Sequence, residues 1–502
     1  MLVPLKLPPG FFRPGTIYDA EGRWYDGSLV RWLDGGMQPW GGWTPLQDST
    51  PADVDVGEVI RGMHAWRSAG GTPHLAFGTP TKLYIFASGG LSDVTPADLD
   101  TGFADESEQS GGLYGLGAYG SGLYGTGDES QTWRREANTW QLGNFGQWLV
   151  AMSFADRRLF VWKPGEAVAA LISGAPTENR GLVVTPERFL VALGAGGDGR
   201  LVRWASQESL TDWTTTPTNT AGELSLDDQG EVQCGRPGNG ETLIWTDTSL
   251  HRLRYIGGAL VYSLRRVADG CGVVSRQAAA VMGGQAFWMG RRAFYRYDGA
   301  GVTPLPCDVG DYVFGDIDLD QRSKIVARVQ ADTGEVIWHY PSASGSGECD
   351  RYVALNAREG YWTTGELERT AGVDRGAFPL PLAADASGVV YEHETGESYL
   401  DTDGSTELVP YAESGPVEIH KGNAVLDVMR LVPDEKTRGG VKLSVYTGDY
   451  PNDTEVLHGP FDVDQPVDTR FAGRAVRLRI DQETAGWRFG TPRLDVIPGG
   501  RR

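Results

Sequence analysis

The sequence of 502 residues has few cysteines, and this excludes one class of protein at once. Its four cysteines are Cys234, Cys271, Cys307 and Cys349, and no two of them form a CxxC pair. Four cysteines in a chain of this length do not make a disulfide scaffold. We therefore expect buried free thiols in a protein that is made in a reducing cytoplasm.

The sequence also lacks the features of a membrane or secreted protein. The first residues, MLVPLKLPPGFF, have no charged region followed by an apolar region, so they do not form a secretory signal. No apolar run approaches the roughly 18 residues that are needed to cross a bilayer. These absences predict a soluble protein with no membrane-spanning segment and no export signal of its own.

Positive charge is scarce, because 45 Lys and Arg stand against 66 Asp and Glu and the net charge is −21. This balance argues against a protein that grips nucleic acid over a broad basic surface. It does not argue against a protein that lets DNA slide past. Most of the cations are arginines, which suit planar contacts at interfaces, although the codon bias of a GC-rich genome explains this preference equally well.

No catalytic or metal-binding motif emerges from the scattered histidines. His393 stands between two glutamates, but in a strand its side chain points away from both neighbours, which weakens a metal site there. Asp316, Asp318 and Asp320 have the opening spacing of a calcium loop. Gln321 replaces the required glycine and Ala327 replaces the closing glutamate, so we reject an EF-hand. The GxSxG motif is absent, and no carboxylate pair typical of glycosidases is singled out. We predict no catalytic, cofactor-binding or metal-binding residue, no cofactor and no enzyme activity.

Glycine and aromatic residues are abundant, with 70 Gly, 16 Trp, 19 Tyr and 16 Phe. Glycine is about twice as frequent as in average proteins, which favours many short strands and tight turns. Residues 111–127, GGLYGLGAYGSGLYGTG, repeat a tyrosine followed by glycine every five residues. This repeat explains two GxGxxG matches without a nucleotide site, since a Rossmann motif needs a flanking strand and helix. We expect a Gly/Tyr-rich loop that packs its tyrosines on a neighbour.

A pair of short strands, the second one aromatic, recurs along the middle of the chain. The segments that carry it are 74–86, 148–162, 189–204, 242–256, 285–299, 335–355 and 388–400. From Trp148 onward their starts are 41 to 53 residues apart, which is the period of a propeller blade. The pattern predicts an all-β protein whose body is a β-propeller-like array of about seven blades, each segment giving the central strand pair. A string of β-sandwiches is the alternative.

The two ends of the chain have different patterns. Residues 22–43 carry four tryptophans between glycine and aspartate turns, which fits either a buried structural hairpin or an arm at a subunit interface. Near the C-terminus Val476, Leu478 and Ile480 alternate with arginines, which is typical of a sandwich strand. We therefore predict an N-terminal arm at 1–60, a propeller at 61–405 with an insertion at about 95–147, and a C-terminal β-sandwich of about six strands at 406–502.

Long segments of the chain resemble structural proteins that are encoded in phage tail gene clusters. These segments are LPPGFFRPGT together with GRWYDGSLVRWLDGGMQPWGGW near the N-terminus, and residues 209–222, 241–257, 284–314, 352–365, 388–396 and 493–502. The best fit is the family of tail nozzle or hub proteins of short-tailed phages, also called packaged-DNA-stabilisation proteins. The Gly/Tyr repeat and the C-terminal sandwich resemble that family least.

The resemblance implies a structural virion protein that is assembled in the host bacterial cytoplasm. It implies a β-propeller body and a ring, most simply a homohexamer, below the portal and its adaptor and above the tail fibres or needle. Such a ring extends the DNA channel, retains packaged DNA and lets double-stranded DNA exit without sequence-specific binding. An acidic wall suits this role, since a basic wall would bind the phosphates and slow the exit of the DNA. The insertion would then act as a gate or as a clasp between subunits.

Two other functions remain open at this stage. A tail-tip or fibre protein that binds host glycans would favour a trimeric stalk with heptads or a β-helix, and the sequence shows neither. A glycan-hydrolysing propeller enzyme would need two carboxylates in a central pocket.

Overall fold

The computed structural model of the chain describes residues 1–110, 132–396, 399, 408–418, 425–436, 439–450 and 453–498. Within these residues almost all regular structure is antiparallel β-sheet, and the predicted all-β class is confirmed. The N-terminal segment holds five short strands. They are β1 (Leu2–Pro4), β2 (Trp24–Ser28), β3 (Val30–Leu33), β4 (Gly36–Pro39) and β5 (Trp43–Pro45).

The first blade is a four-stranded meander, and a hairpin follows it. The blade contains β6 (Met63–Arg67), β7 (Pro73–Gly78), β8 (Leu83–Ala87) and β9 (Gly90–Asp93). The hairpin, β10 (Ser107–Ser110) with β11 (Thr132–Arg135), flanks the Gly/Tyr repeat, which lies outside the described residues. The inserted segment ends before Trp140, where the next blade starts, and not at 147 as the sequence predicts.

The next three blades repeat the same up-and-down order of strands. Blade 2 contains β12 (Trp140–Phe145), β13 (Trp148–Ser153), β14 (Phe160–Trp162) and β15 (Ala170–Leu171). Blade 3 contains β16 (Gly181–Val184), β17 (Leu190–Leu193), β18 (Leu201–Trp204) and β19 (Gly222–Ser225). Blade 4 contains β20 (Val232–Pro237), β21 (Thr242–Thr246), β22 (Ser249–Gly257) and β23 (Val261–Asp269).

The last three blades complete the propeller. Blade 5 contains β24 (Ala279–Met282), β25 (Gln285–Met289), β26 (Phe294–Tyr297) and β27 (Val302–Leu305). Blade 6 contains β28 (Val326–Gln330), β29 (Glu335–Tyr340), β30 (Arg351–Asn356) and β31 (Tyr361–Glu366). Blade 7 contains β32 (Ala371–Val373), β33 (Leu382–Ala384), β34 (Val390–His393) and, as its outermost strand, β5 from the N-terminal segment.

The seven sheets close into a ring, because the first strand of each blade contacts the first strands of both neighbouring blades. These innermost strands are β6, β12, β16, β20, β24, β28 and β32, and β32 contacts β6 to complete the circle. The segments that the sequence analysis picked out are the central strand pairs of the first six blades. In the seventh blade the pair is β33 and β34, so the segment 388–400 begins one strand too late.

Helical structure is sparse and lies in the connections. One α-helix, α1 (Gly310–Asp316), and a 3-10 helix at Leu319–Lys324 join blades 5 and 6. Among the residues that the structure describes, three further 3-10 turns occupy Ile17–Ala20, Ala195–Gly197 and Gly258–Leu260.

In the described part of the C-terminal region, eight strands form two facing sheets together with β1 and β2. The strands are β35 (Tyr411–Ser414), β36 (Val417–Glu418), β37 (Leu426–Val432), β38 (Val441–Gly448), β39 (Val456–Asp462), β40 (Val467–Gly473), β41 (Ala475–Gln482) and β42 (Arg493–Pro498). One sheet has the order β1-β42-β37-β40, and the other has the order β2-β35-β41-β38-β39, with β36 also pairing with β41. The side chains of Val476, Leu478 and Ile480 are buried in the core as the alternation predicts.

The N-terminal segment is therefore shared between both parts of the fold. Strands β1 and β2 each extend one sheet of the sandwich, and β5 closes the seventh blade. The four tryptophans at 24, 32, 40 and 43 have at most 3% of their surface exposed. This burial favours the interpretation of a buried structural hairpin over that of an arm at a subunit interface. The tryptophan rings are already covered by the chain's own blades and sandwich.

Candidate functional site

The axis of the propeller holds a cavity of about 900 Å³, here called the central cavity. The innermost strands of all seven blades line it. Their residues are mostly small or aliphatic, and the polar side chains at its wall include His64, Asn144, Arg236 and Asp374. The Nε2 atom of His64 lies 3.0 Å from the side-chain oxygen of Asn144, so adjacent blades are joined at this wall.

Gln277 closes the end of the central cavity at which the innermost strands begin. Its side-chain nitrogen donates hydrogen bonds to the carbonyl oxygens of Arg61, at 2.6 Å, and Trp140, at 3.0 Å. Gln277 precedes β24 in blade 5, whereas Arg61 and Trp140 stand at the starts of blades 1 and 2. The side chain of Gln277 thus joins blade 5 to blades 1 and 2 across the propeller axis, and it blocks the axis at this end.

Hydrolysis of glycans in the central cavity would need a pair of carboxylates flanking the bond. Among the described residues that line the cavity, Asp374 is the single acidic one. Its carboxylate accepts hydrogen bonds from the backbone amides of Ala331 and Arg375, and burial raises its pKa. The cavity wall therefore offers no second acid to act with Asp374.

A second cavity of about 640 Å³ lies beyond the blocked end of the axis. Its walls come from the described base of the insertion, from the segments that precede the innermost strands, and from loops between the second and third strands of blades 2, 4 and 5. Seven arginines line it, namely Arg134, Arg135, Arg157, Arg180, Arg276, Arg291 and Arg322. We call it the arginine pocket. Sequence analysis missed it because these arginines are spread over nearly 190 positions and no local motif unites them.

His393 and its neighbours, considered above as a metal site, belong to a buried network of charges. Glu394 accepts two hydrogen bonds from the guanidinium of Arg31, at 2.5 and 3.1 Å, and one from Gln330 at 2.6 Å. The Nε atom of Arg31 lies 3.4 Å from a carboxylate oxygen of Glu335. Burial raises the pKa of Glu394, but the charge of Arg31 and these hydrogen bonds outweigh it and hold the pKa below its usual value.

Two histidines of this region are kept neutral by arginines. The Nε atom of Arg328 donates to Nε2 of His339 at 3.0 Å, and that of Arg369 donates to Nε2 of His393 at 2.9 Å. A ring nitrogen that accepts a hydrogen bond carries no proton. Burial and the neighbouring arginine charges therefore hold the pKa of both histidines well below 6.5. These histidines are structural acceptors, and no metal is needed to explain their arrangement.

This arrangement predicts that stability declines in mild acid. The unfolded chain takes up protons on these histidines below about pH 6.5, whereas the folded chain does not, so the free energy of unfolding falls as the pH drops. Each histidine contributes up to about 1.4 kcal/mol per pH unit. Denaturant titrations between pH 7.5 and 5 measure the slope. We expect His339→Gln to reduce the slope of the free energy of unfolding against pH more than His458→Gln does, because His458 is less buried. Equal slopes in wild type and His339→Gln would contradict this assignment.

Ser249, His251 and Asp228 form a cluster that resembles a catalytic triad in composition but not in geometry. The Nε2 atom of His251 lies 2.8 Å from Oγ of Ser249 and 3.3 Å from a carboxylate oxygen of Asp228. In a triad the serine and the acid face different ring nitrogens. Here both face the same nitrogen, and Ser249 and His251 are buried. The cluster therefore tethers the β21–β22 turn to the segment before β20.

Replacing Asp228 is expected to destabilise blade 4. Burial raises the pKa of Asp228, but hydrogen bonds from Ser249 and Thr246 outweigh it and leave the pKa below the usual value. Asp228→Asn removes an ionised acceptor and is expected to lower the free energy of unfolding by about 2–3 kcal/mol. Asp227→Asn changes an exposed neighbour and is the matched control. Chemical denaturation measures the free energy of unfolding of both variants. Similar losses in the two would contradict the structural role of Asp228.

The other residues considered in the sequence have structural partners. Asp318 caps the 3-10 helix by accepting a hydrogen bond from the amide of Asp320, and Asp320 pairs with Arg134. Asp316 pairs with Arg351, so the three aspartates do not converge on one point. Over the described part of the chain, no group of three or more His, Cys, Asp or Glu side chains is placed to hold a metal ion.

All four cysteines are free thiols, and three of them are buried as the sequence predicts, whereas Cys307 is partly exposed. Burial raises the pKa of the Cys271 thiol to about 11 and that of the Cys307 thiol to about 12. Thiolates are the reactive form, so these side chains are inert at neutral pH. No helix within the described ranges is long and apolar enough to cross a membrane.

Comparison with known proteins gives fold likeness only. No protein-family model matches the chain, and no curated protein matches it. Among solved structures, the β-propeller domain of Cps50 (Swd1) from Myceliophteria thermophila is similar at 10% identity and a TM-score of 0.38, over 68% of this chain and 97% of that one. BamB from Moraxella catarrhalis is similar at 9% identity and a TM-score of 0.38, over 79% of this chain and 98% of that one. Scores this low carry no statement about function, and the seven closed sheets themselves establish the propeller.

Proposed function

We propose that this chain is a structural subunit of the tail of a short-tailed phage, in a ring that extends the DNA channel below the portal and its adaptor. The observation that carries the proposal is the resemblance of long segments across the chain to phage tail proteins. In this role the chain is an assembly protein without a chemical step. It retains the packaged DNA and lets it leave the particle during infection.

The strand pairing between the N-terminal segment, the propeller and the sandwich supports a role in a wall under mechanical stress. Strands β1, β2 and β5 tie one continuous N-terminal segment into the sandwich and into the last blade. The hydroxyl of Tyr352 accepts a hydrogen bond from the Leu29 amide, and that of Tyr361 accepts one from the Trp32 amide, so blade 6 also holds this segment. A wall that withstands the pressure of packaged DNA needs parts that do not shift against each other.

The blocked axis supports a DNA path outside the propeller's own centre. Because Gln277 bridges opposite blades, the propeller's own centre cannot serve as the conduit. In the proposed assembly, the duplex runs between copies of the chain, along the axis of the ring. The net charge of −21 disfavours tight binding of DNA phosphates to the channel wall. At physiological salt, electrostatic screening limits the reach of charges on that wall to about 8 Å.

The hairpin of β22 and β23 is the best candidate contact between copies. Both strands have nine residues, and the tip exposes apolar side chains, with Ile256 51% and Leu260 72% exposed. Apolar side chains clustered at a projecting tip are typical of protein interfaces. Assembly would cover them.

Native mass spectrometry of the purified chain, alone and with the products of neighbouring genes, tests the proposal. We expect a closed ring of identical copies, most simply six. The double variant Ile256→Ser with Leu260→Ser should reduce the ring to monomers, whereas Val168→Ser, at an exposed apolar residue on blade 2, should leave it intact. A trimer at a fibre tip, or absence of the chain from virions in cryo-electron microscopy, would rule the proposal out.

A further inference from the structure

The arginine pocket gathers positive charge in a protein that is otherwise strongly acidic. Besides its seven arginines, three acidic residues line it, namely Glu136, Glu231 and Asp247. The local balance is thus positive, whereas the whole chain carries −21. Like charges brought together in one pocket repel one another, so this arrangement favours a bound anion.

Three of the seven arginines already have carboxylate partners. Arg276 pairs with Glu136 at 2.5 Å, and its guanidinium also lies over the ring of Phe154. Arg180 pairs with Glu231, and Arg134 pairs with Asp320 at the rim. These ion pairs fix the walls of the pocket.

The other four arginines, Arg135, Arg157, Arg291 and Arg322, make no ion pair with a carboxylate of the described residues. Arg135 stacks on the ring of Phe103, and its Nε atom is buried without a hydrogen-bond partner within the described chain. Arg157 donates to the carbonyl oxygen of Phe154 and lies over its ring. Four arginines without a carboxylate partner among the described residues therefore line one pocket.

The ring geometry explains why these arginines converge. Arg135 comes from the base of the insertion, Arg157 from a loop of blade 2, Arg291 from a loop of blade 5 and Arg322 from the 3-10 helix before blade 6. All of these segments lie at the face where the innermost strands begin. Ring contacts hold Arg135 and Arg157, and ion pairs hold Arg134, Arg180 and Arg276, so five of the seven arginines are preorganised as a binding site needs.

We propose that the arginine pocket binds a small ligand that carries phosphate groups. Guanidinium forks match phosphate oxygens in bidentate pairs, and several forks around one space suit a ligand with two or more phosphates. A volume of about 640 Å³ falls in the range of small-molecule sites and is too small for a folded partner. This site is separate from the proposed contact between copies at the tip of blade 4.

Isothermal titration calorimetry of the full chain with sodium pyrophosphate, inorganic phosphate and citrate tests the site. We expect one saturable site per chain, with pyrophosphate bound more tightly than phosphate. The double variant Arg291→Gln with Arg322→Gln should weaken pyrophosphate binding at least tenfold. Arg493→Gln with Arg470→Gln removes the same charge from exposed positions in the sandwich and should change the affinity less than twofold.

The outcomes separate this site from general charge effects. No saturable binding up to millimolar pyrophosphate, or equal weakening in both double variants, would overturn the proposal. Tighter binding of citrate than of pyrophosphate would overturn the phosphate class. Arg291 is exposed and Arg322 has no ion pair within the described residues, so we expect both variants to fold, which thermal unfolding checks. Binding to the isolated chain does not depend on ring assembly, so failure here leaves the proposed function standing, and the reverse also holds.

Discussion

Replacing Arg31 with methionine is expected to lower the free energy of unfolding by about 3–5 kcal/mol, because it strands two carboxylates in the interior. The side chains of Arg31 and Glu335 are only 2% and 1% exposed, and Glu394 is largely covered. Without the guanidinium, Glu335 and Glu394 lose their direct ion pairs and keep only the charge of the neighbouring Arg328. Equilibrium denaturation in urea at pH 7.5 measures the loss.

Two further variants make this prediction specific. Arg254→Met removes an arginine from an exposed strand position and should change stability by less than about 0.5 kcal/mol. Arg31→Met combined with Glu335→Gln and Glu394→Gln removes the charges together and should recover part of the loss, since uncompensated charge is the larger cost. A triple variant that is less stable than Arg31→Met would show that packing, and not charge, explains the effect.

Trp43→Ala is expected to cost about 3–5 kcal/mol and to open the ring at one place. Trp43 pairs in register with His393, so it belongs to the strand that completes blade 7. Its ring lies 5.6 Å from those of His393 and Tyr399, and the guanidinium of Arg369 lies over it. Without the Trp43 ring, β5 loses these contacts with His393, Tyr399 and Arg369 and is expected to detach, which leaves blade 7 with three strands.

Hydrogen exchange and denaturation together test this closure. In Trp43→Ala, amides of β33 and β34 should exchange earlier than those of blades 2 to 4. Trp148→Ala removes a half-buried tryptophan from blade 2, and it should cost less and leave blade 7 protected. Equal losses of stability with no local change in exchange would mean that β5 does not hold the ring closed.

The sequence carried enough local information to identify the blades. A blade's central pair is a hairpin of two short strands, and such hairpins leave apolar and aromatic runs at a regular spacing. The segment 285–299, for example, contains β25 and β26 with a four-residue connection. The burial of alternate residues in β41 was also predictable, because the pleat of a strand sends neighbouring side chains to opposite faces.

Contacts between distant parts of the chain were not predictable in this way. Strand β5 has three residues, so its sequence holds no period that could show that it completes blade 7. The pairing of Arg31 with Glu394 joins positions 363 residues apart. The predicted insertion extends too far toward the C-terminus because it includes β12. This strand directly precedes the apolar run that indicates blade 2, and its own sequence has no strand pattern.

The sequence by itself thus determined the all-β class, the period of the blades and the buried face of the sandwich strands, since each depends on residues close together in the chain. The tertiary structure decided which segment closes the ring, which residue blocks its axis and which arginines meet in one pocket. The physical reason is the circular arrangement of the blades. It brings the starts of seven innermost strands to one face, so residues from separate blades become neighbours that no local pattern connects.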